Sequence, residues 1–318
     1  MATTSGGITP TLSMNLLNFA AESPESWEPL LDRAVSIERA GVDRVIVSDH
    51  IAFGENLDAY GDPSSGGVEG GRQPTGPDGA WLEPLTVLAA VAGRTTRVRL
   101  ATGILIASLR RPAVLAKTAA TIDAISGGRL DLGVGVGWQR EEYEAAGLAF
   151  EGRGKLLDHT LAVLQTFWTE QAAGFSDDRL AFERIHQAPK PVQAGGVPIW
   201  VSGRLHGGRA DNAVLRRILR FGSGWIPWGD DAQDPAPAIA RIREALAEAG
   251  RDPAGFQVQG ALAVPADAGV AGIEQALESA LALNEAGVTD FQVFLRCPDH
   301  ELEDRLTPIV STFHSAFA

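Results

Sequence analysis

The sequence is poor in cysteine and in long apolar runs. Among its 318 residues only Cys297 is a cysteine, so no internal disulfide can form. No Cys and His residues have the spacing of a structural zinc site, and we expect no metal. Charged residues or glycines interrupt every apolar stretch well short of the ~18 residues that a transmembrane helix needs. The chain is therefore predicted to be neither disulfide-bonded nor membrane-spanning.

Positive charge is also scarce, with 27 basic residues against 40 acidic ones and a net charge of -13. Such a surface repels nucleic acid and anionic membranes, so neither is expected as a partner. The polar stretch from Met1 to Thr9 lacks the pattern of a signal peptide, which predicts a cytoplasmic protein. A phosphate-bearing ligand would need local arginines and free N–H groups. The candidate arginines are Arg110, Arg111, Arg204, Arg209, Arg216, Arg217 and Arg220.

Several catalytic motifs are missing from the chain. It has no G-x-S-x-G elbow and no P-loop, so hydrolase and kinase functions lack motif support. The stretch Gly133–Trp138 has its third glycine one residue too early for a dinucleotide fingerprint. What it predicts instead is a strand without bulky side chains, over which a planar ring could lie. Tight packing of the strand against a helix is the alternative.

Short β-branched runs alternate with longer helical patterns along the whole chain, which is typical of βα units around a parallel sheet. Eight such runs predict a single (β/α)8 TIM barrel over residues 1–318. They are Ile8–Leu17, Arg44–Ser48, Val98–Ile104, Leu130–Val136, Pro198–Ser202, Gly224–Ile226, Phe256–Val264 and Asp290–Leu295.

Two of the intervening helices are well marked. Arg111–Ser126 has Pro112 in its first turn and glycines after its end. In Lys155–Trp168, four apolar residues recur at helical spacing and are predicted to face the barrel. They are Leu157, Leu161, Leu164 and Trp168.

Two segments interrupt the alternation. Phe53–Ala80 is rich in Gly, Pro, Asp and Ser, and it follows the second strand. Because loops after barrel strands lie on the face where active sites are built, the segment is a candidate lid; a plain surface loop is the alternative. Gln171–Gln187 is a smaller insertion, for which a hairpin is one possible structure and no function is assigned.

Three strand ends carry residues suited to a site. Asp49 and His50 follow the second strand, where a histidine can exchange protons beside a redox ring or simply shape the pocket. Gly103 lets the third strand bulge against a flat ligand or merely relieves crowding. Ser202, Gly203 and Arg204 end the fifth strand and could hold a phosphate, the alternative being an ordinary βα turn.

Six linked stretches together resemble the luciferase-like monooxygenase superfamily, and in particular its F420-dependent branch. They are Val47–His50, Thr96–Ile104, Ser126–Trp138, Glu151–Gly154, Pro189–Gln193 and Gly222–Pro227. The resemblance implies a (β/α)8 barrel, a flavin or deazaflavin on its carboxyl-terminal face, and a homodimer.

The resemblance also implies roles for individual residues. Asp49 and His50 would lie beside the ring system, with His50 as the proton partner. Thr102, Gly103 and Ile104 would match the bulge behind the ring, which is often a non-prolyl cis peptide in this family. The wall near the ring would be formed by Gly135 and Gly137 with Glu141 as a neighbour, and the phosphate site by Ser202, Gly203 and Arg204.

One departure from the family concerns the substrate. Where the sugar-phosphate dehydrogenase branch has a catalytic glutamate, this chain has Trp138. Together with Phe53, Trp81 and Trp228, this residue is predicted to form an apolar pocket for a hydrophobic or conjugated substrate.

Three functions remain open on the sequence. The first is an F420-dependent oxidoreductase that transfers a hydride between C5 of the deazaflavin and a small organic substrate. The second is a monooxygenase that uses O2 and reduced FMN from a separate reductase. The third is a member of the same fold that binds a cofactor without turnover. The similarity of Gly133–Trp138 and Arg153-Gly154 to the deazaflavin branch favours the first.

Overall fold

A computed structural model of the chain describes residues 8–205, 212–265 and 270–318. Within these ranges, eight strands close into a barrel in which every neighbouring pair is parallel. In chain order they are Thr11–Asn15, Arg44–Val47, Arg99–Leu105, Leu130–Val134, Ile199–Gly203, Gly224–Pro227, Gln257–Leu262 and Asp290–Val293. Each of the predicted runs contributes one strand, and the predicted (β/α)8 barrel is confirmed.

Helices surround the barrel between and after the strands. They are Glu28–Arg39, Pro84–Arg94, Pro112–Ser126, Arg140–Ala145, Arg153–Thr169, Ala213–Phe221, Asp230–Gln233, Ala236–Glu248, Val270–Ala286 and Leu302–Ala316. Helix Pro112–Ser126 starts on its proline and ends at Gly127, whose φ of 70° is the left-handed conformation that a glycine accepts at low cost. Leu157, Leu161, Leu164 and Trp168 are all buried, as their spacing predicts.

Two small antiparallel pairs lie outside the barrel. The insertion at residues 171–187 forms a hairpin of Ala173–Ser176 and Ala181–Ile185. Phe19–Ala20 pairs with Ala80–Trp81, and this pairing ties the end of the segment Phe53–Ala80 to the loop after the first strand. We call Phe53–Ala80 the inserted segment; it contains the short 3-10 turns Leu57–Gly61 and Pro63–Ser65.

The interior of the barrel holds a buried cluster of charges near the amino ends of the strands. Arg44 pairs with Asp290 and with Asp131, the latter at 3.2 Å, and its guanidinium lies 4.6 Å from the centre of the Trp200 ring. Ser13 donates a further hydrogen bond to Asp290, 2.8 Å long. A buried charge is tolerated only when it is paired. Replacing one member of the cluster would therefore leave a buried charge without a partner and destabilise the fold. This charged cluster lies inside the barrel, away from the carboxyl-terminal ends of the strands.

Candidate active site

A cavity of about 510 Å³ opens where the strands end at their carboxyl termini. This is the face of a barrel on which loops from several strands can place side chains together. Residues of the first to eighth strands or of their following loops line it, and the inserted segment adds Tyr60, Gly66, Gln73 and Pro74. Its volume lies within the range of about 300–1,000 Å³ that is usual for small-molecule sites.

The structure brings most of the predicted site residues together around this cavity. The lining includes Asp49, His50, Trp81, Gly103, Ile104, Gly135, Gly137, Trp138, Ser202, Gly203 and Trp228. Thr102, Glu141, Arg204 and Phe53 are not among the lining residues. Of these four, Phe53 still touches the site, because its ring centre lies 4.4 Å from that of His50.

His50 is held by a hydrogen bond at each ring nitrogen. Its Nδ1 lies 3.0 Å from Oε2 of Glu142, and its Nε2 lies 3.0 Å from the amide nitrogen of Gln73. A carboxylate only accepts and an amide nitrogen only donates, so this pattern matches the Nδ1–H tautomer. The rings of Trp81 and Trp138 pack edge-on to the imidazole at 4.9 and 5.7 Å. His50 therefore has a fixed orientation and tautomer.

Glu142 is the residue that fixes His50, and the sequence pointed to its neighbour instead. The Glu142 side chain is fully buried, and its second oxygen accepts a hydrogen bond from the Ile51 N–H at 2.8 Å. Glu141, the predicted neighbour of the ring, is turned away and packs against the backbone of Gly54. Both belong to the first turn of helix Arg140–Ala145, and only the docking of this helix selects which one points inward.

The third and fourth strands together form one wall of the cavity. The Gly103-Ile104 peptide is cis, and the strand register shifts between Thr102 and Leu105. The resemblance implied such a bulge at this position. A Cβ atom on Gly135 would lie 2.7 Å from the Ile104 side chain, and one on Gly133 would lie 2.0 Å from the Thr102 carbonyl oxygen. Gly133 is thus required by the close approach of the two strand backbones, whereas a Cβ atom on Gly135 would have to displace the end of the Ile104 side chain.

Asp49 acts on the backbone of this wall. Its carboxylate accepts two hydrogen bonds from Arg110, at 2.6 and 2.9 Å, and one from the Ile106 N–H at 2.8 Å. Burial disfavours the charge on Arg110, but its hydrogen bonds to Asp49 and Glu83 outweigh this effect and raise its pKa. Asp49 therefore connects the end of the second strand to the segment after the cis peptide, and its oxygens are occupied.

The predicted phosphate site is brought to the cavity in part. Ser202 and Gly203 line it, and Gly203 has a φ of 147°. The Arg204 guanidinium turns towards the inserted segment, where it donates to the carbonyl oxygens of Pro63 and Gly67 at 3.3 and 2.5 Å. Arg217 binds Asp158 at 2.6 Å, away from the cavity. Arg209 lies outside the described residues.

The inserted segment is fastened to the barrel at several points. Besides Arg204, Arg153 donates to the Ser65 carbonyl at 3.0 Å, and the Trp228 indole donates to the Gly66 carbonyl at 3.1 Å. The segment adds four lining residues that were not predicted from the sequence, namely Tyr60, Gly66, Gln73 and Pro74. Nothing in the composition of a Gly- and Pro-rich loop indicates which side chains it turns inward.

Neither a metal-ligand cluster nor a membrane-spanning helix is present in the described part of the chain. Among residues 8–205, 212–265 and 270–318, no three His, Cys, Asp or Glu side chains are grouped so that they could hold a metal ion. In the same ranges, no helix has the length and apolar character needed to cross a membrane.

Comparison with known proteins identifies the family. The model of the family described as luciferase-like monooxygenase matches residues 11–303, which is nearly the whole barrel. The chain belongs to this family. It is therefore an enzyme of the luciferase-like group of oxidoreductases and monooxygenases.

Relatives and solved structures agree with this assignment. An uncharacterized protein of Mycobacterium tuberculosis is 30% identical over 239 residues, which cover 73% of this chain and 76% of the relative. The monooxygenase RslO1 of Streptomyces bottropensis has a TM-score of 0.68 at 20% identity, covering 97% of this chain and 100% of that one. An F420-dependent secondary alcohol dehydrogenase has a TM-score of 0.72 at 17% identity, covering 96% and 99%. At these identities the two structures establish the fold alone.

Proposed function

We propose that this luciferase-like protein is an F420-dependent oxidoreductase that transfers a hydride between C5 of the deazaflavin and a small apolar or conjugated substrate. The observation that carries the proposal is the placement of His50. Its ring lies in the wall of the cavity, is oriented by the buried carboxylate of Glu142, and shares the cavity with the Gly103-Ile104 backbone. Oxidation of an alcohol or reduction of a carbonyl needs a proton partner beside the hydride centre, and a histidine of fixed tautomer suits that task.

The cavity offers backbone and small side chains against which a flat cofactor would lie. A Cβ atom on Gly135 would lie 2.7 Å from the end of the Ile104 side chain, so a larger residue there would push Ile104 aside. Gly103, Ile104, Gly135 and Gly137 would hold the ring, and Ser202 with Gly203 would hold the phosphate through hydroxyl and N–H groups. When bound, the deazaflavin supplies hydride transfer at C5.

His50 is arranged to take up and return a proton at Nε2. With Nδ1–H donated to Glu142, Nε2 is the acceptor that faces a donor in the structure, the Gln73 amide. A substrate hydroxyl in the place of that amide would give its proton to Nε2. The resulting imidazolium would remain 3.0 Å from the Glu142 carboxylate, which stabilises its charge.

The surrounding aromatic residues give the cavity apolar surface next to His50. Trp81 stacks on Phe19 with ring centres 4.2 Å apart, and its indole N–H is satisfied by the Thr75 hydroxyl at 3.0 Å. The Trp228 indole N–H is likewise taken up by the inserted segment. Because these polar ends are already paired, the rings present apolar surface to the cavity and favour an apolar substrate.

The first test compares cofactors. Purified protein is titrated with F420 and, separately, with FMN, following ligand fluorescence at several salt concentrations, since an anion site weakens as salt rises. Tight binding of F420 and weak binding of FMN would support the proposal. The reverse order would favour the reduced-FMN monooxygenase, and binding of neither would refute both.

The second test separates binding from turnover. His50→Asn is expected to bind F420 as the wild type does but to lose most of its turnover, typically 10²–10⁴-fold for a lost general acid–base group. His159→Asn is the matched control, because His159 also pairs with a carboxylate, Asp177 at 2.5 Å, but lies on an outer helix. Full activity of His50→Asn would show that His50 takes no part in the mechanism. If the wild-type protein binds F420 tightly but turns over no substrate, a non-catalytic role for the protein would be favoured.

A further inference from the structure

Tyr60 lines the cavity but has no role in the proposed function. It belongs to the 3-10 turn Leu57–Gly61 of the inserted segment, and its ring is edge-on to Trp138 at 5.4 Å and to Trp228 at 6.2 Å. Trp138 also receives the edge of His50. Tyr60 and His50 thus pack against the same indole and face the same cavity.

The Tyr60 hydroxyl is available to a ligand. Within the part of the chain that the structure describes, it makes no hydrogen bond, whereas the hydroxyl of Tyr143 binds both Ser108 and the Val136 carbonyl. Burial raises the pKa of Tyr60, so the phenol keeps its proton at neutral pH and can act as a donor. Tyr60 is half-buried and lines the cavity, so a ligand in the cavity can accept this hydrogen bond.

The backbone around Tyr60 holds this position firmly. The Val68 N–H donates to the Tyr60 carbonyl at 2.9 Å. A Cβ atom on Gly67 would lie 2.2 Å from that carbonyl oxygen, and one on Gly71 would lie 3.1 Å from the Tyr60 ring. The two glycines therefore let the segment fold back on Tyr60, which limits the positions that its hydroxyl can reach.

The other polar groups of the lining limit what the ligand can be. Among the described lining residues there is no Lys or Arg, and Asp49 has both oxygens occupied by Arg110 and the Ile106 N–H. Beside Tyr60, Trp138 and Trp228, an ionised substrate would lose its hydration without gaining a counter-charge, which is costly. The cofactor phosphate proposed above would instead be held by the hydroxyl and N–H groups of Ser202 and Gly203. An uncharged substrate with one carbonyl or hydroxyl oxygen avoids that cost.

We infer that Tyr60 donates a hydrogen bond to the carbonyl or hydroxyl oxygen of an uncharged, aromatic or apolar substrate, and so selects oxygen-bearing substrates over hydrocarbons of the same shape. This inference rests on the proposed function only for the identity of the cofactor. Tyr60 is assigned to substrate binding, and His50 keeps the proton transfer.

The test measures binding of three matched probes, 2-acetylnaphthalene, 2-ethylnaphthalene and 2-naphthoate, by quenching of tryptophan fluorescence. It is run with the protein alone and with whichever cofactor binds. The preference is the Kd of the hydrocarbon divided by the Kd of the ketone. Tyr60→Phe is expected to lower this ratio about tenfold, since a net hydrogen bond of about 1.4 kcal/mol corresponds to a factor of ten. Tyr143→Phe, which removes the only other tyrosine hydroxyl, is expected to leave it unchanged.

Each outcome bears on the inference. An unchanged ratio in Tyr60→Phe, or an equal fall in Tyr143→Phe, would overturn the role of Tyr60, and 2-naphthoate binding as tightly as the ketone would overturn the uncharged substrate class. Cofactor affinity is measured separately and is expected to be the same in Tyr60→Phe and wild type. If neither cofactor binds but the ketone preference depends on Tyr60, the proposed function fails and this inference stands.

Discussion

Replacing Glu142 with glutamine tests the central feature of the site. The carboxylate is fully buried and accepts one hydrogen bond from His50 Nδ1 at 3.0 Å and another from the Ile51 N–H at 2.8 Å. Glutamine has the same shape but only one acceptor oxygen, so its amide N–H₂ must face one of the two donors. Hydrogen bonds to a charged group contribute about 1.5–3 kcal/mol each, and we expect the variant to lose about 2–3 kcal/mol of unfolding free energy.

The assay is urea unfolding at pH 7, followed by ¹⁵N NMR of the imidazoles. Glu141→Gln is the matched control, since Glu141 is the preceding residue, is partly exposed and contacts Gly54 rather than His50. A surface change of this kind is expected to stay within about 0.5 kcal/mol. In Glu142→Gln, the His50 nitrogens should lose the pattern of a single Nδ1–H tautomer.

A second readout separates positioning from general destabilisation. Because Glu142 acts through His50, Glu142→Gln should lower kcat while leaving the Kd of the bound cofactor near its wild-type value. Equal stability of Glu142→Gln and Glu141→Gln, or an unchanged His50 tautomer, would refute the assignment of Glu142 as the residue that orients His50.

Three further perturbations test the fold around the site. Gly133→Ala should lower the unfolding free energy by about 3 kcal/mol through overpacking, whereas Gly93→Ala, in open space on a helix, should raise it by about 0.5–1 kcal/mol. Burial opposes ionisation of Glu38, but hydrogen bonds from three backbone N–H groups outweigh this effect and lower its pKa below the ordinary 4.5. Glu38→Gln should therefore lower the unfolding free energy at pH 7. The difference from wild type should disappear as the pH falls through the folded-state pKa of Glu38. Arg204→Ala should speed tryptic cleavage after Arg72, in the inserted segment, about tenfold.

Each of these has a result that would count against it. Calorimetry showing Gly133→Ala as stable as wild type would mean that the Thr102 carbonyl can move aside. A loss in Glu38→Gln that is the same in urea titrations at pH 7 and pH 3 would exclude the carboxylate as its source. For Arg204→Ala, the control is Arg220→Ala, which removes an exposed arginine stacked on Phe221; equal cleavage rates in both would show that Arg204 does not fasten the segment.

The site was predictable where function depends on strand ends. His50 follows an apolar strand, and side chains at that place in a barrel project onto one face, so sequence alone placed it in the cavity. Trp138 and Trp228 follow strands in the same way. Glu142, Gln73 and Tyr60 were not predictable, because they lie on a helix or on the inserted segment, where no short-range pattern tells which side chain turns inward.

Arg204 is a residue at a strand end whose side-chain partners could not be predicted from the sequence. Its place after a strand and two small residues predicted an anion site, yet its guanidinium binds carbonyl oxygens of the inserted segment. A flexible arginine takes the best acceptors within reach, and here they belong to Pro63 and Gly67, which are 141 and 137 positions away in sequence.

The sequence by itself determined the barrel. Apolar runs alternate with amphipathic helices along the chain, and glycines stand where two strands approach; these are local properties that each segment carries alone. Only the tertiary structure decided the polar contacts of the site. The distances from Glu142 to His50, from Gln73 to His50 and from Asp49 to Arg110 join residues that are 92, 23 and 61 positions apart. Such pairs form because packing brings the elements together, and no single segment encodes them.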